Sequence, residues 1–213
     1  MKSFDDKSLY SQYHWPDESF IDSWARVKKS NISQLFLSTK KRRQQWLVRI
    51  SDHEKDLQQL SDFDLARIPW QSQQALRLAL VNNNIDCPDI IRALGVIREL
   101  SKRMLGLRHH DVQMMGAGTM LMGRIAEMQT GEGKSLTAIP TAAIAAIAGF
   151  PVHIITVNEY LAERDAEDFS PLFNALGLEV GLIKEDMSPS ERSIEYRKAI
   201  VYCTNKDVAF DYL

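Results

Sequence analysis

Residues 125–140, IAEMQTGEGKSLTAIP, limit what this chain can fold into more than any other stretch. At their centre Gly131-Glu132-Gly133-Lys134-Ser135 forms a glycine-rich turn that runs straight into a helix-compatible segment. Glycines let the backbone turn tightly enough for its N–H groups to converge on phosphate oxygens, and the positive end of the following helix adds to the attraction. The usual phosphate-loop pattern is G-x-x-x-x-G-K-[ST]; here Met128 stands at the first position, so the full pattern is not met. What remains, from Thr130 to Ser135, predicts Lys134 against the β- and γ-phosphates and the Ser135 hydroxyl on Mg²⁺. On these residues alone the loop suits a kinase, a transporter ATPase, a GTPase or a helicase, and a ligand-free surface turn is the bland counterpart.

The pattern around the loop predicts an α/β fold. Residues 124–128 are expected as a short strand entering the loop, and 134–148 as a helix stopped by Gly149. The run 152–157, VHIITV, is apolar and β-branched, as a buried parallel strand requires. Asn158 is placed to cap NEYLAERDAEDF, and Ser170-Pro171 to open a further helix ending at Gly177. Strands are then expected over 178–183 and 199–204, separated by a helix opened by Ser188-Pro189. Such alternation implies a parallel sheet covered by helices, with ligands at the strand ends.

Upstream, residues 46–106 read as helical. Ser51-x-x-Glu54 has the spacing of a capping box, 71–81 reads as one helix stopped by Asn82-Asn83-Asn84, and a third helix starts at Pro88. Ile90, Ile91, Leu94, Ile97, Leu100 and Met104 form its apolar stripe, and Gly106 ends it. These helices are expected to pack rather than to carry chemistry. Residues 1–45 are polar, with helical spacing at Phe20, Ile21, Trp24 and Val27 and a basic run at Lys40-Lys41-Arg42-Arg43. That run reads first as a solvated face and second as an arm for anionic lipid or an acidic partner.

With 213 residues, 45% of them hydrophobic, the chain suits one large or two small domains. A net charge of −2 argues against a partner held by bulk positive charge, so nucleic acid is not expected. Cys87 and Cys203 lie far apart and outside metal-ligand spacing, which suits a reducing, cytoplasmic setting. Residues after Met1 lack the apolar run of a signal peptide, and 136–150 is Ala-rich, interrupted by Pro140 and too short to span a bilayer.

Four stretches together resemble the SecA family of preprotein-export motor ATPases. IAEMQTGEGKSLTAIP is close to the family's loop with its flanks; LGLRHHDVQ at 105–113 resembles its GxRHxDVQ segment; VHIITVNEYLAERDAE at 152–167 resembles VHVVTVNDYLAxRDAE; and IVYCTNKDVAFDYL at 200–213 resembles the segment ending in FDYL. EKDLQQLSDFDL at 54–65 looks like the helix pair that precedes the family's motor. The resemblance covers about 50–213, whereas 1–45 do not match the usual family start and point to a divergent or accessory relative.

The resemblance implies a RecA-like P-loop core of the helicase superfamily 2 type, incomplete at its C-terminus, over 107–213. It would be preceded by helices over 46–106 and a variable segment over 1–45. It implies ATP and Mg²⁺ as ligands, Gln113 at the adenine edge, Arg108 shaping that pocket, and Thr130, Gly131, Glu132, Gly133, Lys134 and Ser135 on phosphates and metal. Thr156 and Asn158 would begin a segment coupling nucleotide state to movement. Preproteins and a membrane channel are the implied partners, at the inner membrane from the cytoplasmic side, with homo-oligomers admitted. Cys203, where the family has Gly, and Lys206-Asp207-Val208-Ala209 depart from its pattern and bear on coupling rather than binding.

ATP hydrolysis in this motor class also needs an Asp-Glu pair at a later strand end. No such pair follows Ser135, so the chain by itself is expected to bind nucleotide weakly and to hydrolyse it negligibly, as a fragment of a longer ATPase or as a shortened relative. A nucleic-acid helicase and a non-hydrolysing module that binds an intact motor or channel are the alternatives. For the remaining polar groups the expectation is structural. His109 and His110 are adjacent and point apart; Glu163, Asp165, Glu167 and Asp168 read as a solvated helix face; Met114, Met115, Met120 and Met122 read as packing.

Overall fold

The computed structural model describes residues 40–212. Nine helices and three strands occur among them: α1 (Lys40–Leu57), α2 (Asp62–Gln71), α3 (Gln73–Val81), α4 (Pro88–Leu105), α5 (Asp111–Leu121), α6 (Lys134–Ile147), β1 (Val152–Thr156), α7 (Glu159–Ala175), β2 (Val180–Leu182), α8 (Pro189–Glu195), β3 (Ile200–Thr204) and α9 (Asn205–Asp211). The helical spacing around Phe20 to Val27 lies outside the described residues.

Helix α4 is the axis of the molecule. Pro88 supplies a preset φ in its first turn, Asp89 and Lys102-Arg103 sit at the ends the helix dipole favours, and Gly106 closes it at φ 69°. Its expected stripe is buried from Ile90 to Leu100, but Arg98, Glu99 and Ser101 on other faces are buried too. A helix buried on most of its faces must be covered on several, and α1, α2, α6 and α7 all pack against α4. One apolar cluster therefore runs from Trp46 in α1 to Tyr202 in β3. Glycines allow the closest approaches, since a Cβ at Gly118 would lie 2.8 Å from the Trp46 ring and one at Gly116 2.6 Å from the Thr137 methyl.

The three strands are parallel in the order β1-β3-β2, with Val152 and Val180 both level with Ile200. Ile200 and Tyr202 face α7 and the main core, whereas Val201 and Cys203 face a smaller cluster with Ile183, Tyr196 and Val208. Burial pushes the Cys203 thiol up to about 12, so it stays protonated and inert.

Several sequence expectations change. Ser51-x-x-Glu54 is no capping box: α1 starts inside the basic run, Ser51 lies mid-helix, and Glu54 is buried. The helix expected over 71–81 is two, α2 and α3, hinged at Ser72. Residues 111–121, for which no helix was anticipated, form α5, capped by His110 and Gln113. Residues 124–128 are not a strand, because no other strand lies beside them among the described residues, and Ile125 is 94% exposed. The buried strand expected at 152–157 ends at Thr156 and lies at the edge of the sheet; among the described residues only β3 has neighbours on both sides, and Ile155 is 52% exposed. Ser170-Pro171 does not open a helix: α7 runs through, and the Ser170 hydroxyl bonds the Ala166 carbonyl one turn back. The acidic set is only partly solvated, with Asp165 buried beside Arg164 (2.5 Å) and Glu163 paired with Lys184. The caps at Asn158 and Ser188 are present as anticipated.

Candidate functional site

The glycine loop and the turn between α4 and α5 face each other across a cleft of about 500 Å³. Gly131, Glu132, Gly133 and Leu136 wall one side; Gly106, Leu107, Arg108, His110, Val112 and Gln113 wall the other. Of the residues singled out from sequence, Arg108, Gln113, Gly131, Glu132 and Gly133 thus meet, while Thr130, Lys134 and Ser135 flank the loop outside that wall.

The loop owes its path to two left-handed residues, Gly131 at φ 91° and Gly133 at φ 78°. Gly133 is the N-cap of α6 and offers no side chain, so the first amides of a 14-residue helix have no side-chain cap. Space beside Gly131 is open for 4 Å around an imagined Cβ. Lys134 is exposed and has no carboxylate within ion-pair distance among the described residues. Glu132 turns inward on the loop itself, its carboxylate accepting from the Gln129 N–H at 2.7 Å. An unfilled helix start with a free cation beside it is the arrangement an anion would complete.

The opposite wall is held differently. Gln113, 4% exposed, is no ordinary surface residue: its Oε1 accepts from the His110 N–H at 2.9 Å, and its Nε2 donates to the Glu132 carbonyl at 3.0 Å. Its amide therefore spans the cleft from the α5 cap to the loop. His109 is fully buried, with Nε2 3.0 Å from the Leu136 carbonyl in the first turn of α6. Burial, reinforced by the nearby Arg98 and Arg108 charges and opposed by that hydrogen bond, lowers its pKa to about 4. The ring is thus neutral at pH 7, and to bond a carbonyl it must carry its proton on Nε2.

Four charged side chains anchor this wall, of which sequence reasoning picked out only Arg108. Glu54 of α1, buried, accepts from Arg108 Nε at 2.6 Å and Nη2 at 2.7 Å. Arg98 of α4, 1% exposed, donates to the His109 carbonyl at 2.8 Å and to Asp111 Oδ1 at 2.7 Å, and its Nη1 lies 3.9 Å from Glu54. A charged residue in the middle of an apolar helix was the signal available for Arg98; Glu54 was hidden by the capping-box spacing it shares. No group of three or more His, Cys, Asp or Glu able to hold a metal occurs among the described residues.

Residues 29–213 match the family described as the SecA DEAD-like domain, so the likeness starts about twenty residues before the motifs do. Over 180 residues the chain is 43% identical to the protein translocase subunit SecA 2 of Bordetella avium, covering 84% of this chain and 27% of that protein. It is 49% identical over 140 residues to SecA 3 of Magnetococcus marinus (66% and 21%) and 44% over 176 residues to SecA of Trichodesmium erythraeum (81% and 19%). The chain spans 19–27% of the length of these relatives.

Proposed function

This chain belongs to the SecA DEAD-like domain family, and from that premise we propose that its cleft is the front half of an ATP site in a protein-translocating motor. The observation that carries the proposal is the start of α6 without a side-chain cap behind two left-handed glycines, with Lys134 exposed beside it and no carboxylate within ion-pair distance among the described residues. Amides of the loop and of the first turn of α6 would take the phosphates, with Glu132 contributing backbone rather than carboxylate, and Lys134 would balance their charge. Gln113 and Arg108 stand on the wall where a base would lie. For Gln113 to read adenine, its amide must exchange the Glu132 carbonyl for the base. Mg²⁺ would arrive with the nucleotide, held from the protein by the Ser135 hydroxyl, and would screen phosphate charge.

In the intact protein, ATP binding and hydrolysis would drive preproteins through a channel in the bacterial inner membrane, reached from the cytoplasmic side. No helix among the described residues is long and apolar enough to cross a membrane. Basic residues at the start of α1 would then serve contact with anionic lipid. The 213 residues alone would bind ATP weakly and turn it over negligibly, since no Asp-Glu pair follows Ser135 to order a metal-bound water shell. The relatives named above are all translocase subunits, and nothing favours a nucleic-acid helicase.

Titrating ATP–Mg into the chain tests the site. Saturable binding is expected at roughly 0.1–1 mM, with Lys134→Ala weakening it about a hundredfold at unchanged thermal stability. Equal binding by wild type and Lys134→Ala would overturn the assignment.

A further inference from the structure

The charged contacts behind the cleft have a chemical asymmetry that the proposed ATP site does not by itself explain. Arg108 reaches the cleft from a turn that glycine closes and α5 begins, where a long side chain would ordinarily sample many rotamers. Glu54 removes that freedom. It takes the Nε–Nη2 edge of the guanidinium in a two-point contact, which fixes the plane of the group as well as its place. The carboxylate is itself held, because its side chain is 4% exposed and the buried Arg98 stands 3.9 Å from Oε2, the oxygen that also takes Arg108 Nη2. Among the described residues nothing engages Nη1 or the faces of the Arg108 plane, and the side chain stays 42% exposed. A planar cation held edge-on by a buried carboxylate offers its face to a planar aromatic ring and its free nitrogen to a ring or ribose oxygen.

We propose that Glu54, from the first helix, is a positioning residue that orients Arg108 toward the base of the nucleotide, so that the helical layer sets base recognition while the glycine loop sets phosphate binding. This rests on the reading of the cleft as an ATP site. Its distinguishing consequence is that the two ends of the ligand respond separately. Glu54 acts on the base-and-sugar end alone, because none of its contacts reaches the loop.

Binding of ATP and of inorganic tripolyphosphate, each with Mg²⁺, to the full chain tests the proposal. Wild type, Glu54→Gln, Arg108→Ala and the double variant are compared, with thermal melts alongside. Glu54→Gln is expected to weaken ATP about fivefold to tenfold and to leave tripolyphosphate within about twofold. Arg108→Ala is expected to do the same, and the double variant to be no worse than Arg108→Ala alone, since both act through one group. Arg108 is half exposed, so its variant keeps the test valid even where Glu54→Gln lowers the melting temperature. The proposal is overturned if Arg108→Ala leaves ATP affinity unchanged, if tripolyphosphate falls in step with ATP, or if the two substitutions add. A wild-type chain that binds neither ligand overturns the ATP site itself, whereas one that binds both with no base-dependent loss overturns only the role of Glu54.

Discussion

Across the cleft, the α4–α5 turn and the glycine loop differ in where their polar groups find partners. On the turn, Arg98, Glu54, Arg108, Asp111, His109 and Gln113 bond one another or the backbone around them. On the loop, the start of α6 has no side-chain cap and Lys134 has no carboxylate beside it among the described residues. One wall is completed by the protein, and the other is arranged to be completed by something else. Groups fixed by one another on the first side are placed to orient whatever ligand the second side would hold.

The strongest way to break this comparison is to remove the centre of the completed wall. Arg98→Ala leaves the His109 carbonyl without its buried donor and Asp111 without its cation, and should lower stability by about 3–5 kcal/mol in denaturant melts. A change under about 1 kcal/mol would show that the network contributes little. Lys134→Ala on the other wall should stay within about 0.5 kcal/mol of wild type in the same melts.

Acid probes the same wall more gently. His109 titrates near 4 when folded against 6.5 when unfolded, so the unfolded chain binds more protons between those values. The stability that His109 contributes is therefore whole above about pH 6.5 and is lost as pH falls through that window toward 4, by on the order of 3 kcal/mol. Many carboxylates titrate nearby, so the informative quantity is the difference from His109→Gln, which should flatten the slope between pH 6.5 and 4. An identical slope in the variant would separate His109 from the acid response.

A smaller effect is expected from a glycine of the loop. A Cβ at Gly133 must sit at φ 78° and would collide with the Gln113 amide nitrogen. Gly133→Ala should cost about 1–2 kcal/mol of stability. The same change displaces the Gln113–Glu132 hydrogen bond across the cleft, so ATP affinity should fall as well, read by titration against wild type.

Much of the α/β part was legible because its signals are local. Asn158 and Ser188 cap helices through their own side chains, and Gly149 and Gly177 end them at positive φ, whatever lies elsewhere in the chain. Where sequence misled, a distant partner decided. Ser51 and Glu54 have capping-box spacing, yet Glu54 is drawn inward by Arg108 fifty-four residues later. The run at 152–157 has the composition of a central strand, but exposure of Ile155 depends on which strands lie beside it. Pro171 looks like a helix start, yet packing of Phe169, Leu172 and Phe173 against the core carries α7 through it.

By itself, then, the sequence determined the glycine loop, the helix that follows it and the parallel strand–helix alternation, because left-handed glycines, caps and apolar periodicity act over a few residues. Only the tertiary structure decided that Gln113 bridges to the loop, that His109 is a buried neutral ring under α6, and that Glu54 governs Arg108. Those pairings join residues 19, 27 and 54 positions apart, and a hydrogen bond between residues so separated exists only once packing has brought their segments together.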